Sequence, residues 1–83
     1  MPSDQKKKMM DNFKTQIRGA GLWPRVHECL SQFRGAKTTE GEMVKGMAEI
    51  LLPAHAQLFK DVVVVIPSAA AAIDRECRRR GIQ

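Results

Sequence analysis

Residues 61–66, DVVVVI, form the one run of β-branched residues in the chain, and this decides the fold class. A strand needs a partner for its backbone N–H and C=O groups, and a lone one is not stable in water. No second run of this kind exists in the 83 residues, so the valines are read as helix. Four valines cost a helix about 2 kcal/mol against alanine, which burial offsets. Leu58, Phe59, Val62, Val63 and Ile66 also fall at helical spacing. The strand reading needs two chains pairing edge to edge.

The rest of the chain follows the helical period. Met10, Phe13 and Ile17 recur at i, i+3 and i+7 in a helix over 4–18, with Ser3 as its N-cap and Gly19–Gly21 as its stop. A second helix, 24–34, opens at Pro24, carries Val26, Leu30 and Phe33, and stops at Gly35. The third, 40–52, starts from Thr39-Glu40-Gly41-Glu42, a capping box, and buries Met43, Met47, Ile50 and Leu51. A fourth spans 53–65 and is distorted at its end, because Pro67 pushes Ile66 out of the α region. A fifth spans 68–80, with Ala69, Ile73 and Cys77 as its stripe and Gly81 as its stop. The expected fold is a single all-α domain, a compact bundle of four to five short helices.

Composition narrows the function classes. Hydrophobic residues at 43% and charged residues at 28% are ordinary globular values. No segment approaches the ~18 apolar residues of a membrane span, and the N-terminus lacks the apolar core of a signal peptide. Two cysteines are too few for a disulfide scaffold, which points to a reducing compartment. His27 and His55 lack a nucleophile motif, and no glycine-rich phosphate cradle appears, so no catalytic residues are assigned. His27, Cys29, His55 and Cys77 do not have the paired spacing of a zinc module; no metal and no cofactor is expected.

The net charge is +5 and the basic residues gather at both ends. Lys6, Lys7, Lys8, Arg78, Arg79 and Arg80 are the candidate contacts for nucleic acid, in weak and salt-sensitive association. With three phenylalanines on core stripes, one tryptophan and no tyrosine, the stacking platform of single-strand binders is missing. The competing reading is a peptide-binding groove. The first helix is amphipathic, methionine-bearing and flanked by lysines, and a basic rim selects acidic amphipathic helices. The same apolar stripe serves equally as core.

The segment FKTQIRGAGLWPRVHECLSQFRG resembles the first two helices of harmonin-homology domains. AEILLPAHAQLFKDVVVVIP and AIDREC are similar to that family's third-to-fifth helix layout. The resemblance runs from Met9 to Gly81, and is nearest to the branch found near the C-terminus of telomere-elongation helicases. Paired-amphipathic-helix domains of transcriptional corepressors share the architecture more distantly. Family members carry aromatics where this chain has Val62–Val65, and larger or polar residues where it has Ala69–Ala72.

The resemblance implies a helical hub that binds partner segments folding into helices between its first two helices; the domain is expected to be non-enzymatic and a monomer. It implies a nuclear setting and partners in DNA replication, repair or telomere maintenance. Carried onto this sequence, Phe13, Ile17, Val26 and Leu30 are the floor, Met9, Met10 and Leu22 the edges, and Lys14, Arg18 and Arg25 the rim.

Overall fold

The computed structural model describes residues 2–83, with side chains from residue 4 onward. It is an all-α bundle, and no strand forms among the described residues. Helix α1 spans Pro2–Gly19, α2 Trp23–Arg34, α3 Glu40–Leu51, α4 Ala56–Lys60, α5 Val62–Val65 and α6 Ala70–Arg80. A single 3₁₀ turn, Pro67–Ala69, joins the last two. Among the described residues, no helix is long and apolar enough to cross a membrane.

The helix ends follow from local chemistry. Gly21, at φ 75°, takes the left-handed conformation that ends α1, and the Leu22 N–H returns to the Ile17 carbonyl at 3.1 Å. Ser3, read as the N-cap, falls inside α1, and its side chain lies outside the described residues. The capping box at α3 is complete. The Glu42 N–H donates to Thr39 Oγ1 at 3.1 Å, and the Thr39 N–H donates to Glu42 Oε1 at 2.9 Å.

The turn after α2 is less well served by its sequence. Ala36, not a glycine, occupies the left-handed conformation there (φ 57°), while Gly35 beside it has φ −83°. A side chain in that conformation costs about 1–2 kcal/mol, partly offset by the lower entropy of the unfolded chain. Ala36→Gly is therefore expected to stabilise the domain by about 0.5–1 kcal/mol. Chemical denaturation at unchanged m-value is the check.

The segment 53–65 differs from the single helix that its periodicity predicts. It starts at Ala56 rather than Pro53, and Asp61 divides it into α4 and α5. Both ends answer to proline. Leu52 and Ile66 each precede one, and both lie outside the α region, at φ −92°, ψ 148° and φ −131°, ψ 79°. At Asp61 the ladder tightens, because Val64 N–H donates to the carbonyl only three residues back. The Gln57 side chain donates to Asp61 Oδ1 at 3.0 Å and braces the corner. This break lets Phe59, Val62 and Val65 all turn inward, at 0%, 0% and 9% exposure.

The core joins every helix. Phe13 and Ile17 from α1, Val26 and Leu30 from α2, and Met43, Val44, Met47, Ala48 and Leu51 from α3 share one cluster with Phe59 of α4. Ala69, Ile73 and Cys77 close it from the side of α6. A buried carboxylate, Glu76, lies beside them. It accepts from Arg80 Nε at 2.8 Å and pairs with Arg79, and Arg80 Nη2 reaches Glu49 of α3 at 3.0 Å. These contacts fasten the end of α6 to α3.

Candidate binding clefts

Helix α2 has one buried stripe and two flanks, and each flank borders a depression. Residues 23, 27, 30 and 34 share one flank by the 3.6-residue period, and residues 25, 29 and 32 share the other. The first flank, with α1 and Val65, encloses a cleft of about 190 Å³. Phe13 and Leu30 form its floor, and Met10, Trp23 and His27 its walls. Lys14 and Arg34 stand at its rim.

Trp23 organises this cleft. It opens α2 beside Pro24, and its indole lies against the His27 ring, with centroids 5.4 Å apart at 44°. Arg18 sits over the indole with its guanidinium carbon 5.0 Å from the ring centroid, and Lys14 Nζ lies at 5.9 Å. Such cation–π contacts contribute about 0.5–1 kcal/mol each at exposed sites. They also fix two positive charges beside an apolar opening. Among the described residues, no carboxylate lies within ion-pair distance of Lys14, Arg18 or Arg34.

The sequence-assigned groove residues separate here. Met10, Phe13 and Leu30 line the cleft. Ile17 and Val26 do not. Both are 0% exposed, sealed beneath the helix pair, so their place in an open floor is corrected to core. Leu22 packs half-buried at the α1–α2 turn. Met9, 51% exposed, faces a separate depression with Asn12, Asp61 and Val64. Of the rim, Lys14 and Arg18 stand beside Trp23, but Arg25 is on the far flank of α2 and borders the other groove. A stripe pattern reports burial, not which flank stays open. Trp23, His27 and Arg34 were missed, although Trp23 and His27 at i, i+4 beside a basic helix end were the available signal.

The candidate nucleic-acid contacts fall into two groups. Lys6, Lys7 and Lys8 lie exposed on the first turns of α1. The arginines carry partners within the molecule: Arg78 with Asp74 at 3.1 Å, Arg79 with Glu76, and Arg80 with both Glu76 and Glu49. No group of three or more His, Cys, Asp or Glu side chains is arranged to hold a metal among the described residues.

The second flank of α2 meets α3 in the larger groove, about 550 Å³, lined mostly by apolar surface. Cys29, Met43, Gly46 and Ile50 form its floor. Cys29 is half-buried, its thiol donates to the Met43 carbonyl at 3.4 Å, and burial pushes its pKa up. Comparison with protein-family models, with curated proteins and with solved structures returns no match for this chain.

Proposed function

We propose that this chain is a non-enzymatic protein-interaction domain that takes acidic amphipathic helices of partner proteins into the α1–α2 cleft. The observation that carries this reading is the pairing of an apolar floor, Phe13 and Leu30, with cations that have no carboxylate partner among the described residues. An acidic helix would lay apolar residues against Met10 and Trp23 and place carboxylates near Lys14, Arg18 and Arg34. Desolvation of Trp23 makes it the expected anchor, since buried aromatics dominate such interfaces. The harmonin-homology resemblance supports the same reading, and would make the domain a regulatory part of a nuclear DNA helicase acting in replication, repair or telomere maintenance.

The double variant Lys14→Glu/Arg34→Glu tests it. An acidic amphipathic peptide of about 15 residues, long enough to form helix on docking, is expected to shift the amides of Met10, Trp23 and His27. In the double variant, affinity should fall at least about tenfold, because two attractive charges become repulsive. Circular dichroism should be unchanged. Equal affinity in a folded double variant removes the cleft from consideration. Short oligonucleotides serve as the control. Shifts confined to Lys6–Lys8 and the α6 arginines, lost at high salt, would favour the nucleic-acid reading instead.

A further inference from the structure

The α2–α3 groove has the opposite electrostatic character from the α1–α2 cleft. Its edges carry Glu28, Glu42 and Glu49 against one lining guanidinium, Arg25, with Arg80 meeting Glu49 from beside the groove, in a protein whose net charge is +5. From these edges and its apolar floor, we infer that this groove is a second docking site, for a lysine- or arginine-bearing amphipathic helix of a partner protein.

The floor is built for close approach. Gly46 lies inside α3, where glycine costs about 1 kcal/mol relative to alanine. A Cβ there would stand 3.1 Å from Cys29 Sγ, so the glycine keeps α2 and α3 close and leaves the middle of the groove without a side chain. Ile50, half-buried, and Cys29 supply apolar contact on either side. The acidic edges remain available. The Glu49 side chain is 72% exposed even while it meets Arg80. Glu28 is exposed, and its one side-chain partner among the described residues is the neutral amide of Gln32, at 2.8 Å. Backbone and side-chain bonds from Thr39 hold Glu42 below the usual carboxylate range, so it is charged at neutral pH. A basic helix seated on Ile50 and Cys29 thus meets the carboxylates of Glu28 and Glu42, with Glu49 shared with Arg80, whereas an acidic one meets repulsion. The two flanks of α2 would therefore sort partners by charge.

The test is an amide-shift titration of the labelled domain with two peptides of equal length, one of Leu and Lys, one of Leu and Glu. The Leu/Lys peptide is expected to shift Cys29, Gly46 and Ile50 saturably. Glu28→Lys should weaken it about tenfold and Glu28→Gln by less, in the order of the charge change. Neither exposed substitution should alter the response of Met10 and His27 to the Leu/Glu peptide. Absence of shifts at Cys29, Gly46 and Ile50, or affinity indifferent to both substitutions, overturns the proposal. So does the appearance of the same shifts on concentrating the protein alone, which would make a second copy the occupant. Failure of the Leu/Glu arm alone would count against the α1–α2 cleft and leave this groove standing.

Discussion

Phe13→Asp is expected to leave the domain unfolded at room temperature. Phe13 is 2% exposed and packs in the same cluster as Ile17 and Leu30. Removing a buried phenylalanine costs about 3–5 kcal/mol before any charge is considered. The aspartate adds the cost of a carboxylate in an apolar site with no partner. A domain of this length has about 4–12 kcal/mol of stability in all. Loss of the far-UV helical signal and of the cooperative melt is the expected result. A folded Phe13→Asp protein would mean that this side chain does not carry the core. Met10→Ala is the informative contrast. Met10 is half-buried and lines the cleft, so its truncation should weaken the acidic peptide while the fold survives.

Glu76→Ala is expected to destabilise by about 2–3 kcal/mol, through lost charge-assisted hydrogen bonds. Glu76 is 6% exposed and accepts from Arg79 and Arg80, which hold its pKa down to about 2. A carboxyl with a lowered folded-state pKa contributes stability that is present above its unfolded value, near 4.5. That contribution is lost as pH falls toward 2, while both arginines stay charged. Wild-type stability should therefore drop between about pH 4.5 and 2, and Glu76→Ala should flatten that part of the profile. Thermal melts across this range are the measurement. A variant with the wild-type acid profile would show that another carboxylate governs acid unfolding.

Much of the core was legible because it depends on spacing along single helices. Met43, Met47 and Leu51, or Ala69, Ile73 and Cys77, need only the helical period to be placed inside, and all six are buried. The capping box is likewise local, since its two partners are three residues apart. The candidate cleft was only partly legible. Phe13, Leu30, Lys14 and Arg18 were found on their own helices, but whether a side chain forms floor, rim or sealed core depends on the rotation of α1 against α2. That rotation separates Ile17 and Val26, closed at 0%, from Met10 and Trp23. Arg25 falls on the opposite flank by the period of α2 itself, and packing decides only that this flank borders α3.

The sequence alone determined the all-α class, because one β-branched run without a partner cannot satisfy a sheet. It also determined the stops of α1, α3, α5 and α6, because proline and glycine act within a few residues of themselves. Only the tertiary structure decided the corner at Asp61, where Val62 and Val65 join Phe59 in the core while Val63 and Val64 stay half-buried. The pairs of Glu76 with Arg79 and Arg80 are three and four residues apart on α6 and need only the helix, whereas the tertiary structure decided the burial of Glu76 and the link from Arg80 to Glu49, 31 residues away. It also decided where charge is left free. Arg78, Arg79 and Arg80 are drawn into ion pairs, mostly with carboxylates three or four residues away on α6, while among the described residues Lys14, Arg18 and Arg34 have none, since the packed helices bring no carboxylate within their reach.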